Sequence, residues 1–379
     1  MIYLDNNATT RPDPAVVQAM LPYLTEHYGN PSSVHRMGQR SRQAIDVARG
    51  QVAQLIGAAE SELLLTAGGT ESINTALRGL YAQRSPRKRI VTSTVEHSAT
   101  RELCQQLARE GAEIIEIEVD RDGLIDMAAL EQSIADDVAC VTLMWANNET
   151  GVLFPVEAVA QLCRQKRVPF HCDGTQAVGK VPVDMTAMGL DAMSLASHKF
   201  HGPKGVGALF VRRGLRLRPL MIGGPQERGR RGGTENVPGI VGMGAAAEIA
   251  KSSLAGMANI ARLRDTLEAG ILESIDQTSV NGSRGQRLAN TTNISFAALE
   301  AEAILLLLSE RDICASAGAA CSSGSLEPSH VIRAMGIPDR VAHGAVRFSL
   351  SRFTTQEEIA QTLAVMPKVI ARLREVLPV

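Results

Sequence analysis

Lys199 stands in surroundings that suit covalent chemistry. It lies in Ala196-Ser-His-Lys-Phe-His-Gly-Pro-Lys-Gly205, a polar turn between two apolar runs, 192–196 and 206–211, that read as short strands. A lysine there is close to a buried sheet end rather than out on a solvated helix face. Partial burial lowers an amine's pKa, and a neutral amine forms a Schiff base with a carbonyl compound. Most lysines are simply exposed, so this reading depends on what the rest of the chain supplies.

Four other strand ends supply it. Ala67-Gly-Gly-Thr-Glu-Ser72 marks a strand-to-helix turn, where the glycines, the helix N-terminus and the Thr70 hydroxyl suit a phosphate. The plainer reading is a turn in which Thr70 caps the helix. No Gly-Lys-Ser/Thr follows, so it is not a Walker A loop. His97, after the next strand, has a ring flat enough to stack on a heteroaromatic system and titrates near neutral pH, although a lone histidine is more often structural. Asp173 closes His171-Cys-Asp173, and a buried carboxylate needs a partner, which a protonated ring nitrogen, an arginine or a helix N-terminus would provide. Asn148 and Gln176 offer neutral hydrogen bonds beside it. A phosphate cradle at Gly69 and Thr70, a stacking His97, a ring-nitrogen Asp173 and a Schiff-base Lys199 are together the equipment for pyridoxal 5'-phosphate.

Two further residues stand out. Cys321 lies in Ser316-Ala-Gly-Ala-Ala-Cys-Ser-Ser-Gly-Ser325, a small, polar and Gly-rich stretch that reads as a mobile exposed loop. An exposed thiol invites oxidation, so reactivity is the better reason for it. Cys104, Cys140, Cys163 and Cys172 read as small core hydrophobes. Arg347, on a strand expected over 346–353, suits a substrate carboxylate through its bidentate guanidinium, with a structural salt bridge as the plainer reading.

The elements that position these residues alternate. Strands are expected at 63–66, 89–94, 114–119, 138–145, 168–172 and 192–196, with helices near 38–57, 71–82, 98–110, 127–135 and 156–166. That order implies an α/β fold with a largely parallel sheet and ligands beyond the strand C-ends. Residues 1–35 read as irregular. After about residue 212 come a Gly/Arg-rich loop at 223–236, long helices over 238–276 and a smaller α+β region. Its last helix, 356–377, carries a core-facing stripe of Ile359, Leu363, Met366, Ile370, Leu373 and Leu377.

Bulk properties narrow the class. The 379 residues carry a net charge of -1 and only 3% aromatics, which argues against nucleic acid and membrane surfaces as partners. The N-terminus has neither a charged n-region nor an apolar h-region, and the apolar run 303–308 is far too short to span a bilayer. Six cysteines without CxxC spacing indicate neither a disulfide framework nor a zinc knuckle. The expectation is a soluble, reduced, cytoplasmic protein.

With these residues in view, the chain resembles the NifS/IscS-type cysteine desulfurases, class V of the fold-type I aminotransferase-like enzymes, and it does so end to end. The marks are Ala8-Thr-Thr10, Gly29-Asn-Pro-Ser-Ser33, Gly68-Gly-Thr-Glu-Ser72, Val95-Glu-His97, Asn147-Asn-Glu-Thr-Gly151, Asp173-Gly-Thr-Gln176, His198-Lys199, Arg231-Gly-Gly-Thr-Glu-Asn236 and Ser325-Leu-Glu-Pro-Ser-His330. The Glu227-Arg-Gly-Arg-Arg-Gly-Gly form looks nearer the nitrogen-fixation branch. The resemblance implies a large cofactor domain over 14–255 and a small domain, 1–13 with 256–379, that carries the Cys321 loop. It implies Lys199 as the cofactor lysine, Cys321 as the persulfide-forming nucleophile, His97 stacked on the ring and Asp173 on its nitrogen. Gln176 and Asn148 would bond cofactor or substrate oxygens, and Arg347 the substrate carboxylate. Gly69, Thr70, Ala196, Ser197, His198 and Thr234 would hold the phosphate. Thr234 would come from the neighbouring subunit, hence a homodimer. The implied reaction takes L-cysteine to L-alanine and passes sulfur to an iron–sulfur scaffold or another acceptor. A role for Cys321 as a transient iron–sulfur ligand shared with that scaffold stays open.

One departure qualifies this. The family has Ser, a small residue, then His-Lys, whereas here the order is Ala196-Ser197-His198-Lys199. Neighbours on a strand face opposite ways, so Ser197 is expected to miss the phosphate and anchoring there to be weaker. Two rivals remain. A selenocysteine lyase or another class V enzyme would use the same Lys199 apparatus. A metal site built from His171, Cys172, Asp173, His198 and His201 would suit a hydrolase, though their spacing fits no common ligand pattern.

Overall fold

The computed structural model of the chain describes residues 1–83, 86–317 and 327–376. Its strands are β1 (Ile2–Tyr3), β2 (Leu63–Thr66), β3 (Arg89–Ser93), β4 (Glu113–Ile117), β5 (Val138–Met144), β6 (Phe170–Asp173), β7 (Ala192–Ala196), β8 (Gly207–Val211), β9 (Thr278–Val280), β10 (Thr291–Phe296), β11 (Ile313–Cys314) and β12 (Ala345–Ser349). Seven of them form one sheet in the order β2-β8-β7-β6-β5-β3-β4. The pairs from β7 through β6, β5 and β3 to β4 are parallel. β8 runs antiparallel to both β7 and β2. Only a short turn joins β7 to β8, and a parallel return needs a crossover of a dozen residues or more.

Every residue of β5, β6, β7 and β8 is buried. Strands covered by helices on both faces need apolar side chains both ways, which is why these read as continuous apolar runs. The helices Gly69–Gln83, Ser98–Arg109, Met127–Ser133 and Val156–Gln165 make the crossovers. The strand C-ends therefore open on one edge of the sheet, where Asp173, Ala196 and the residues after Ser93 and Met144 lie.

The main core gathers Leu63, Val141, Phe170, Met193 and Phe210 from the sheet with Ile45, Val52 and Met243 from the helices Arg36–Ile56 and Val237–Ser253. A second core holds Leu4, Ile271, Phe296, Phe348, Met366 and Ile370. It joins the antiparallel sheet β12-β10-β9 to the helices Met257–Ser274 and Gln356–Val376. The stripe expected on that last helix is buried at Ile359, Met366, Ile370 and Leu373, while Leu377 lies outside the described residues. β1 pairs with β11 in this second core, so the first residues of the chain join its last third.

One segment departs from expectation. Residues 1–35 are not irregular throughout, because Pro14–Thr25 is a helix. Asp13 caps it by accepting from the Ala15 N–H at 2.8 Å, and Pro14 takes the first helical position, where its missing N–H costs nothing. Pro22, inside the helix, hides this from a propensity reading.

Candidate active site

The end of β7 turns sharply into a single 3-10 turn, Ser197–Lys199, closed by Phe200 N–H and Gly202 N–H donating to Ser197 O. This turn aims the Lys199 side chain back across the sheet edge. The N-terminal segment runs beneath it, with Thr10 N–H and the Thr10 hydroxyl both donating to His198 O at 2.9 Å. The Lys199 amine accordingly donates to Asn7 O at 2.6 Å and Ala8 O at 2.8 Å.

Lys199 lines a cavity of about 250 Å³ together with Gly69, Thr70, His97, Asn148, Asp173, Gln176, Ala196 and His198. The structure thus brings most of the residues singled out from the sequence onto one wall. Gly69 and Thr70 are the first residues of the helix Gly69–Gln83, whose leading N–H groups lack intrahelical acceptors. Gly68 takes φ of +151°, which a glycine tolerates. A Cβ on Gly69 would stand 3.1 Å from the Thr175 hydroxyl. That hydroxyl is buried, lines the cavity and has no hydrogen-bond partner among the described residues. A cradle of bare backbone N–H groups with an orphaned hydroxyl fits a phosphate. The ring end fits as well, since Asp173, with the Thr175 N–H on its Oδ1 at 3.0 Å, faces the same cavity as the His97 imidazole.

His97 has two duties. Its Nδ1 accepts from the Ala99 N–H at 3.1 Å and caps the helix Ser98–Arg109, so the ring proton belongs on Nε2. Burial pushes its pKa down, opposed by the charge of Asp173 and helped by that of Lys199, so the ring is neutral. Burial and the cations Lys199, Lys204 and Lys180 push His198 down to about 4. Behind the wall, burial drives Glu96 up to about 8 despite hydrogen bonds from the Ser93 hydroxyl and Met144 N–H. It therefore holds a proton at neutral pH and adds no second negative charge beside Asp173.

Other expected residues sit elsewhere. Ser197 lies outside the cavity: its hydroxyl is buried against Gly202, while Ala196 and His198 on either side of it line the cavity. The chain leaves β7 at Ala196 and Ser197 opens the 3-10 turn, so Ser197, expected with its neighbours at the phosphate, does not line this subunit's cavity. Thr234 also stands apart, in a second cavity of about 100 Å³ with Arg231, Glu235 and Asn236. Arg347 is buried, and its guanidinium bonds Asp5 Oδ1 at 2.6 Å and Asn148 O at 3.0 Å. Cys321 lies outside the described residues. The flanks of its segment, however, meet near Asn148: Ser316 pairs through its backbone with Arg347, and the Ser329 hydroxyl donates to Glu149. Cys104, Cys140, Cys163 and Cys172 are buried, as expected.

The metal grouping does not form. The His171 ring is held between Thr142 and Ser194, His198 faces Thr9, and His201 meets Arg11 O. Among the described residues no three His, Cys, Asp or Glu side chains could hold a metal ion. Sequence reasoning missed Asn7, Thr175 and Lys180. Thr175 lies inside the quoted Asp173–Gln176 run, and Asn7 stands directly before the Ala8-Thr-Thr10 run.

Comparison with known proteins agrees with this geometry. A family model described as Aminotransferase class-V matches residues 2–362. Cysteine desulfurase 2 of Trichormus variabilis is 51% identical over 378 residues, covering 100% of this chain and 95% of the relative. Cysteine desulfurase NifS of Azotobacter vinelandii is 51% identical, covering 100% and 94%. Among solved structures, a NifS-like protein superposes with a TM-score of 0.93 at 36% identity, covering 98% of this chain and 100% of that one. The structure described as SspA in complex with cysteine gives a TM-score of 0.83 at 32% identity, covering 94% and 100%.

Proposed function

The chain belongs to the class-V aminotransferase family, and from that membership and the geometry of its cavity we propose that it is a pyridoxal 5'-phosphate-dependent cysteine desulfurase. It converts L-cysteine to L-alanine and keeps the sulfur as a persulfide on Cys321. The observation that carries the reading is the convergence of Lys199, Asp173, His97 and the helix start at Gly69 and Thr70 on one cavity.

When bound, pyridoxal phosphate supplies a conjugated electron sink for electrons released at the substrate Cα. Gly69, Thr70 and the end of β7 would hold its phosphate, Asp173 would accept from its ring N–H, and the His97 ring would lie against it. Lys199 would hold the group covalently, and its amine, once free, would take up the substrate Cα proton. Asn148 and Arg347 orient the substrate carboxylate. The Cys321 thiolate attacks the substrate sulfur; the new S–S bond forms as the C–S bond breaks, leaving the persulfide, and a proton on the carbon side completes alanine. Nε2 of His97, the nitrogen not used as a cap, carries the mobile proton.

The sulfur goes to an acceptor protein, an iron–sulfur scaffold or another carrier, and a role for Cys321 as a transient ligand shared with a scaffold stays open. Residues 14–255 form the cofactor domain, and 1–13 with 256–379 the small domain. The division of the core in two supports this, although Val331, Ile332 and Met335 pack on the larger core. Thr234 serves the other subunit of a homodimer, a reading supported by its absence from the lining of its own subunit's cofactor cavity. The reducing cytoplasm suits a catalytic thiol, and among the described residues no helix is long and apolar enough to cross a membrane.

The test is release of alanine and sulfide from L-cysteine with a reductant, wild type beside Cys321→Ala. Equimolar products from the wild type, and a loss of at least about a hundredfold in the variant, are expected. Full turnover by Cys321→Ala would remove Cys321 from the mechanism; no product from a cofactor-loaded wild type would remove L-cysteine as substrate.

A further inference from the structure

Lys180 is a lysine in an unusual place. It is only 9% exposed, behind the cavity wall, and among the described residues no carboxylate pairs with it. Its amine donates to Gln176 Oε1 at 2.6 Å and to Asn7 Oδ1 at 3.1 Å. Gln176 Nε2 in turn donates to Asn7 O at 2.9 Å, the same oxygen that receives the Lys199 amine at 2.6 Å.

This arrangement fixes the orientation of the Gln176 carboxamide by chemistry rather than by convention. A peptide carbonyl only accepts, so the NH₂ group must face Asn7 O, and Oε1 is left to take an N–H of Lys180, which amine and ammonium both have. The second N–H of that group is left for the cavity that Gln176 lines. Because Gln176 and Lys199 converge on one carbonyl oxygen, this N–H lies beside the cofactor lysine. On pyridoxal, one neighbour of the lysine-bearing carbon is the ring hydroxyl, and the phosphate arm is the other. The phosphate cradle at Gly69 accounts for the arm, which leaves the hydroxyl oxygen to Gln176.

We propose that Lys180 is a positioning residue that locks the Gln176 carboxamide with its NH₂ group toward the cofactor's ring oxygen, so that Gln176 is a donor there and never an acceptor. The proposal rests on the cofactor reading above. Two N–H bonds suffice, and a neutral amine has them as well as an ammonium. That matters because burial, then Lys199 and Arg347, hold the pKa of Lys180 well below the usual lysine range. Asn7 is braced at the same time: its Oδ1 also receives Asn290 Nδ2, and its Nδ2 donates to Asn148 O and Thr291 Oγ1.

The holoenzyme tests this through the pH midpoint of its visible cofactor band. A donor to the ring oxygen favours the anionic oxygen and so the deprotonated lysine linkage, which lowers the midpoint. Lys180→Met frees the carboxamide to turn, and the midpoint should rise by about half a unit to one unit. Lys180→Arg, which keeps N–H donors, should return it toward wild type. In a Gln176→Ala background, Lys180→Met should add nothing, because the residue it acts through is gone. An unchanged midpoint in Lys180→Met, or an undiminished shift in the Gln176→Ala background, overturns the proposal. Should Lys180→Met not fold, Gln176→Glu decides: Lys180 pairs with the carboxylate, no donor reaches the ring oxygen, and the midpoint must rise or the proposal fails. A wild type that takes up no pyridoxal phosphate would overturn the cofactor reading and this inference together, an outcome plainly different from a loaded wild type with unresponsive variants.

Discussion

His97 does two jobs with two nitrogens, and substitution separates them. The Nδ1 lone pair caps the helix Ser98–Arg109, while the ring face and Nε2 look into the cavity. His97→Phe keeps a flat ring and loses the cap, so stability should fall by about 1 kcal/mol. Its cofactor affinity should stay within about threefold of wild type. His97→Asn keeps a cap and loses the ring. Its stability should stay within about 0.5 kcal/mol, and its cofactor dissociation constant should rise about three- to tenfold. Both variants lose the proton carrier, and kcat should drop about a hundredfold or more. Urea unfolding and cofactor titration of the two proteins read these apart; parallel losses in both measurements would mean the two roles are not separable.

At the scale of elements, the cavity exists because the turn from β2 into the helix Gly69–Gln83 is pressed against the start of β8. A Cβ on Gly207 would stand 2.5 Å from Leu195 O and 2.8 Å from the Gly68 Cα. Those are backbone atoms and cannot give way. Gly207→Ala should therefore cost about 1–3 kcal/mol of stability. Gly69→Ala meets only the Thr175 hydroxyl at 3.1 Å. It should fold with nearly unchanged stability yet bind cofactor about tenfold more weakly, since its methyl occupies the cradle. Thermal melts of both apoproteins beside cofactor titrations check the contrast. What the sequence makes legible follows the same physics. β7 reads correctly to the residue, Ala192–Ala196, because a strand buried on both faces is an unbroken apolar run. Gly69, His97, Asp173 and Lys199 can be singled out because each closes or follows such a run, and all four line one cavity. The helix Pro14–Thr25 was hidden by Pro22, although Asp13-Pro14 announced its start. Asn7 and Lys180 could not be read locally, because they meet across 173 residues and Asn7 meets Lys199 across 192. Contacts of that range leave no periodic trace.

Across the whole molecule, the first residues of the chain tie the second core to the cavity. β1 pairs with β11, Asp5 meets Arg347, and Asn7 and Ala8 receive the Lys199 amine. The outer side of the helix Pro14–Thr25 is left apolar, with Val17, Leu21 and Leu24 exposed at helical spacing. Met221 and Ile222, just before the Gly/Arg-rich loop that carries Thr234, are exposed too. Apolar surface of this kind marks a protein–protein contact, and Met221 and Ile222 adjoin in sequence the loop expected to reach the neighbouring site. Mixed dimers of Lys199→Ala and Thr234→Ala subunits test that arrangement. Thr234→Ala homodimers should bind cofactor about three- to tenfold more weakly, and Lys199→Ala homodimers should lack the lysine-linked visible band. If Thr234 acts across the dimer, the mixed species holds one site with both native residues, so half the band returns with wild-type affinity. If Thr234 acts within its own subunit, the only lysine-bearing site in the mixed dimer lacks it, and the band returns with the weakened affinity instead.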